Sequence, residues 1–151
     1  MLLLIKAAIR RYLIIVFFKM GFAPFSFMRV WVLRIIGVSV GRGCYIGFDI
    51  NVDTNYPGHI SIGDHVTISH SVTILCHTAT PAKSKLSTYY SSAEPVVIAD
   101  GAWIGTNSLL LPGVIVGDNT FVAAGSVVLG RLDASSLYAG NPAQLKRRLP
   151  R

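Results

Sequence analysis

Residues 98–128 read IADGAWIGTNSLLLPGVIVGDNTFVAAGSVV. An aliphatic side chain returns at every sixth position: Ile98, Ile104, Leu110, Val116, Val122 and Val128. A six-residue period fits neither the turn of an α-helix nor the alternation of a simple strand. It fits a chain that turns a corner every six residues. Three hexads then close one triangular coil of 18 residues, and successive coils stack by parallel strand pairing roughly 4.8 Å apart. The same series runs upstream through Ile62, Ile68 and Ile74, and before that through Val40, Ile46 and Val52. Gly, Ala or Asp often follows the aliphatic residue, as at Gly47, Gly63, Gly105 and Gly117. Four residues after it, small or β-branched side chains predominate, such as Cys44, Val66, Ala102, Ser108 and Ser126. The aliphatic ladders point inward, and the small residues fit the corners. Twelve such hexads predict an all-β parallel helix of about four coils.

A short stacked prism exposes strand edges at both ends, which is a liability. The hydrophobic segment 1–37 is placed to cover one end, as a helix. The β-helix itself is expected over 38–134, and 135–151, containing SLYAGNPAQLKRRLP, closes the other end or packs along the side. Two insertions break the count. A short one, YPGHIS at 56–61, shifts the register by four residues between Val52 and Ile62. A long one, 80–97, gives no ladder and has the polar, Pro- and Ser-containing composition of a loop. Loops of that length are usually functional when they are not disordered. His77, in ILCHTATP, stands where the regular segment stops and this loop begins.

Composition narrows the class. The chain has 151 residues, 52% of them hydrophobic and 14% charged, which argues for a folded domain with a modest core. The net charge of +7 is uneven. Residues 1–48 carry Lys6, Arg10, Arg11, Lys19, Arg29, Arg34 and Arg42 and no acid, and Lys146, Arg147, Arg148 and Arg151 add to the far end. The ends therefore favour anionic contacts, such as phospholipid or a phosphorylated cofactor. No nucleic-acid recognition motif is present, and nucleic acid is not expected as a partner. The opening MLLLIKAAIRRYLIIVFF is interrupted by Lys6, Arg10 and Arg11 before it reaches the roughly 20 apolar residues of a spanning helix, and no small-residue cleavage site follows. Residues 1–20 are read as a peripheral membrane contact or as a packed helix. Cys44 and Cys76 form no metal motif and read as reduced thiols of a cytoplasmic protein.

From Gly37 to Leu149 the chain resembles the hexapeptide-repeat acyltransferases. It is most similar to the branch of galactoside, maltose and polysaccharide O-acetyltransferases. The pieces that carry the resemblance are IGDHVTISHSVTILCHT, PVVIADGAWIGTNSLLLPGVIVGDNTFVAAGSVV and AGNPA. The resemblance implies a left-handed coil, which crossover physics alone would not favour. It also implies a homotrimer, with acetyl-CoA as co-substrate in a groove between neighbouring prisms, and no metal. His77 matches the family's catalytic histidine. A sugar hydroxyl is a weak nucleophile until its proton is removed, and histidine titrates in the useful range. A backbone N–H near Gly105 or Thr106 is expected at the oxyanion. Trp103 and Ala124 match positions lining the groove. Where the family often has Thr-Lys after the last repeat, this chain has Leu129, Gly130 and Arg131, so Arg131, Lys146 or Arg147 is expected to take the phosphates. The acceptor side falls in FDINVDTNYPG, where Asp53 or Asn55 orients the hydroxyl or holds the His77 tautomer. Tyr89 and Tyr90 in the long loop are placed to stack on a sugar.

The expected activity is O-acetylation of a saccharide, lipid-linked or membrane-proximal, in cell-surface polysaccharide synthesis at the inner face of the membrane. An amino-sugar acceptor stays open, because His77 would serve either. A zinc enzyme on the same frame is the rival through His65 and His70, although their phase in the hexad differs from that of carbonic anhydrases of this fold. A non-catalytic scaffold is the third reading.

Overall fold

The computed structural model describes residues 2–19, 25–78, 85 and 93–150. Tyr89, Tyr90 and most of the long loop lie outside the described residues.

Helix α1 (Leu2–Ile14) runs into a π-helical turn (Ile15–Lys19), and α2 (Ser26–Ile36) follows. Gly37 ends α2 with φ of 105°, a left-handed conformation that glycine adopts without a Cβ clash, and its N–H caps the helix at Arg34. The first coil then comprises β1 (Ser39–Val40), β2 (Tyr45–Ile46) and β3 (Asn51–Val52). The second holds β4 (Ile60–Ile62), β5 (Thr67–Ile68) and β6 (Thr73–Ile74), and the third β7 (Val96–Ile98), β8 (Trp103–Ile104) and β9 (Leu109–Leu110). The fourth has β10 (Ile115–Val116), β11 (Phe121–Val122) and β12 (Val127–Val128). A partial fifth adds β13 (Arg131–Leu132) and β14 (Ser136–Ala139), and β15 (Gln144–Arg148) turns back.

These strands form three parallel faces of a left-handed prism. The first face stacks β1, β4, β7, β10 and β13; the second β2, β5, β8, β11 and β14; the third β3, β6, β9 and β12. The predicted ladders are the observed ones. Val40 pairs with Ile62, Ile62 with Ile98 and Ile98 with Val116. Ile46, Ile68, Ile104 and Val122 stack on the second face, and Val52, Ile74, Leu110 and Val128 on the third. All but Val40, on the first coil, are buried. The corner residues Val66, Ala102, Ser108, Thr120 and Ser126 are buried too, with Cys44 partly so, and two hydroxyls find carbonyls: Ser108 donates to Ala123 and Thr120 to Asp133.

One corner carries a column of carboxylates. Asp64 accepts the Arg42 backbone N–H at 2.7 Å, Asp100 that of Asp64 at 2.8 Å, and Asp118 that of Asp100 at 3.2 Å. Each side chain thus satisfies a turn amide of the coil before it.

The open edge of the first coil is covered by α2. Arg29, 1% exposed, donates to the Ile46 carbonyl at 2.8 Å, and the Ser26 hydroxyl accepts the Ile46 N–H at 2.8 Å. Arg34 reaches the carbonyls of Val40 and Gly41. At the other end, β15 pairs antiparallel with β14. The six-residue count misses Leu132 and Tyr138, which extend two ladders over Val116 and Val122. The last coil is shorter than 18 residues, so these two fall off the period. The loop expected over 80–97 also ends earlier: Val96 and Val97 belong to β7, where they pair with Ile60 and Ser61.

Candidate active site

His77 lies just past β6, at the corner between the third and first faces. The four-residue insertion decides what sits beneath it. With those extra residues, β3 and β6 pair at Asn51–Thr73 and Val52–Ile74, so Asn55, 22 residues earlier, lies below His77. The Asp53 side chain is only 2% exposed, against 25% for His77, and its Oδ2 meets His77 Nδ1 in a short hydrogen bond. Oδ2 also accepts the Cys76 N–H at 3.1 Å, and Oδ1 accepts the N–H of Asn55 at 3.0 Å and of Tyr56 at 3.4 Å.

Burial alone would raise the Asp53 carboxyl. The hydrogen bonds from His77 and from the backbone N–H groups of Asn55 and Cys76 outweigh it and hold the carboxyl below its usual range. The carboxylate therefore stays ionised and accepts from Nδ1–H. That leaves the lone pair of Nε2 pointing outward, the tautomer a proton acceptor requires. Asn55 Nδ2 lies 3.5 Å from Nε2, at the long limit for a hydrogen bond. Tyr56, half in solvent, packs its ring 5.1 Å from His77 and 5.4 Å from His59. The base of the long loop closes against the same point: His77 bridges to Ala93, and the Glu94 N–H donates to the Cys76 carbonyl at 2.7 Å.

Asp53 and Asn55 are thus brought to His77, and of the two roles expected for Asp53 its buried contact with Nδ1 fits the holding of the His77 tautomer. Tyr56 was not singled out from the sequence. Its signal was the offset itself, since the insertion sits one coil before His77. Cys76 is fully buried, and burial, with the Asp53 charge, pushes its thiol up to about 11. A protonated thiol facing the core is no nucleophile.

The cofactor-side residues are spread over the prism. Trp103 projects from the second face, half-exposed, with its indole N–H on Ser69 at 3.0 Å and its ring 4.7 Å from Phe121. Gly105, Thr106 and Ala124 line the corner between the second and third faces. Here one expectation is corrected: the Gly105 N–H donates to the Val122 carbonyl at 2.8 Å, so the ladder consumes it and it cannot serve an oxyanion. Arg131 stands on the first face, whereas Lys146 and Arg147 sit on β15 beside the second, all three exposed. They do not form one cationic cluster within a single chain. Arg148, not picked out from the sequence, bonds Asp133 at 2.7 Å. His65 and His70 stand at different corners; His70 Nδ1 accepts the Phe48 N–H at 3.0 Å. Among the described residues, no three His, Cys, Asp or Glu side chains form a metal-holding group.

Stacked hexads with a carboxylate-oriented histidine at a loop-framed corner define the class: a parallel β-helix of the hexapeptide-repeat type. Comparison with known proteins specifies it further. The family model "Bacterial transferase hexapeptide (six repeats)" matches residues 95–130. The Escherichia coli (strain K12) protein named "Putative colanic acid biosynthesis acetyltransferase WcaF" is 30% identical over 136 residues, covering 79% of this chain and 74% of its own. The galactoside O-acetyltransferase of the same organism is 32% identical over 115 residues, 74% of this chain; the match spans 54% of that enzyme. A solved hexapeptide-repeat acetyltransferase of Vibrio cholerae, complexed with acetyl coenzyme A, superposes with a TM-score of 0.73 at 22% identity, covering 99% of this chain and 88% of that one. This chain belongs to the hexapeptide-repeat acetyltransferase family, and it is an acetyltransferase.

Proposed function

We propose that the protein moves an acetyl group from acetyl-CoA to a hydroxyl of a saccharide in cell-surface polysaccharide synthesis, with His77 as general base. The observation that carries this reading is the Asp53–His77 pair, which turns the free Nε2 outward beside Tyr56 and Asn55. A hydroxyl needs such a base, whereas a neutral amine is already nucleophilic. In the proposed reaction Nε2 takes the hydroxyl proton, and the oxygen attacks the thioester carbonyl. The Thr106 N–H of a neighbouring prism supports the oxyanion, since the Gly105 N–H is engaged. The C–S bond then breaks and the proton passes from His77 to the CoA thiolate. No acyl-enzyme forms.

The names of the relatives support the substrates: colanic acid biosynthesis for one, a galactoside for another, and acetyl coenzyme A bound in the third. The proposed assembly is a homotrimer. The exposed Trp103 ring beside Phe121 is the kind of surface a neighbouring prism covers, and a cleft between prisms would bring the scattered cofactor-side residues to one donor. The proposed location is the cytoplasm, at the inner face of the membrane.

Purified protein incubated with acetyl-CoA and a panel of saccharides tests this, with products read by mass spectrometry and CoA release followed in parallel. One saccharide should gain a base-labile acetyl ester. Replacing His77 with Ala should lower turnover by about 10² to 10⁴-fold without loss of assembly. Turnover by an assembled His77→Ala variant at the original rate would overturn the reading.

A further inference from the structure

We propose that α1 and α2 form a seat for an anionic lipid surface. This deepens the functional reading by giving the enzyme a way to meet a lipid-linked saccharide. The seating itself does not depend on acetyl transfer.

Both helices carry two apolar sides. α2 buries Val30, Val32, Leu33 and Ile36 against the first coil, and its opposite side presents Phe27, Trp31 and Ile35, spaced four residues apart. α1 buries Ile14 and turns Ile5, Ile9 and Tyr12 to solvent. Phe27 is 69% exposed, Tyr12 66%, Trp31 60% and Ile9 54%, so these side chains contribute little to the core. The two outer stripes meet: Ile9 and Ile35 line one groove of about 270 Å³ together with Lys6 and Arg10. A second, of about 360 Å³, lies between Phe17, Phe27 and Trp31 and is bordered by Arg34. An apolar surface of this extent needs an occupant.

Charge selects which one. Residues 1–48 hold seven cations and no acid; Arg29 is buried and Arg42 pairs with Asp64, which leaves the cations of α1 to face outward. On α1, Lys6 and Arg11 are exposed and flank the Ile5–Ile9–Tyr12 stripe from either side. Apolar side chains bordered by cations, with Trp and Tyr among them, match the boundary of an anionic bilayer. A second copy pressed onto the same face would need acids to meet these cations. In a two-fold contact that copy would offer the same acid-free residues 1–48, setting cation against cation. Among the described residues, no helix is long and apolar enough to cross a membrane, so the contact is a seating on the surface.

The full chain is tested by co-sedimentation with vesicles of phosphatidylcholine alone or mixed with phosphatidylglycerol. Binding is expected to the mixed vesicles, and to weaken with salt. The double substitution Lys6→Glu with Arg11→Glu should lower partitioning by at least roughly fivefold per cation removed. Phe27→Ser with Trp31→Ser should lower it by about tenfold or more. Both variants should keep the parent's circular dichroism and its activity on a water-soluble saccharide. Absence of binding to mixed vesicles, or equal binding by parent and folded variants, overturns the proposal. So does a change in oligomeric mass of Phe27→Ser with Trp31→Ser in vesicle-free solution, which would show that a second copy covers the face. If vesicle binding holds while no saccharide is acetylated, the catalytic reading fails and the lipid seat stands.

Discussion

Replacing Asp53 with Asn should separate orientation of the base from the base itself. The carboxylate takes four hydrogen bonds, one from the His77 ring and three from the backbone N–H groups of Asn55, Tyr56 and Cys76. Asparagine keeps one acceptor oxygen and puts an NH2 group where the other stood. If the oxygen stays toward Asn55 and Tyr56, the NH2 faces His77 Nδ1 and the Cys76 N–H. The ring must then accept at Nδ1 and carry its proton on Nε2, which is the wrong tautomer for taking a hydroxyl proton. If the amide flips, the Asn55 and Tyr56 amides lose their acceptor and the turn beneath His77 loosens. A hydrogen bond to a charged group contributes about 1.5–3 kcal/mol, which as lost stabilisation of the imidazolium in the transition state is about 10 to 10²-fold in rate. The buried amide left without an acceptor costs about 1–3 kcal/mol of stability. CoA release with a saturating saccharide should therefore show kcat down by one to two orders of magnitude, with KM for acetyl-CoA little changed. The melting temperature should fall. A folded Asp53→Asn enzyme with kcat within about twofold of the parent would refute the orientation argument.

Acid stability should carry the same signature. The folded Asp53 carboxyl lies below its unfolded value, near 3.9 in model peptides, so its contribution is present above that pH and is lost as pH falls through the folded value. The stability gap between parent and Asp53→Asn, from urea unfolding, should close as the pH falls below about 4; a gap that widens there would contradict the assignment. Gly105→Ala should unfold or strongly destabilise the prism by thermal denaturation, because its Cβ would lie 2.5 Å from the Ala124 nitrogen and 2.7 Å from the Val122 carbonyl oxygen. A wild-type melt for that variant would mean the coils have more room than the structure allows. Cys76, with its thiol near 11, should resist alkylation in the native protein at neutral pH, and Cys76→Ala should retain turnover. Loss of activity in a folded Cys76→Ala enzyme would point to a covalent route.

The ladders were legible because hexad periodicity is a local, repeated signal. Twelve inward positions read from the chain are twelve positions in the stacked strands. Leu132 and Tyr138 escaped because the last coil is short, and a period test sees only equal spacings. His77 was legible through its place before the long loop, and Asp53 and Asn55 through the family's pattern. Their division of labour was not. Whether a carboxylate faces a ligand or stands behind a histidine depends on which side of the coil wall it takes, and the residue type carries no such mark. Gly105 shows the same limit: its amide looked available until the pairing of β8 with β11 assigned it to Val122.

By itself, the sequence determined the period, and with it the triangular coil, the inward ladders and the corner residues, since each follows from neighbours within a few positions. Only the tertiary structure decided what meets across coils. The insertion at 56–61 lengthens one coil, and that length alone sets Asn55 beneath His77 and packs Tyr56 against it. The same holds for the two-sided helices, whose outer apolar stripes are distinguishable from core only once the core is seen to lie on the other side. Stacking couples residues through the lengths of the segments between them, and a local pattern cannot show which residues those lengths bring together.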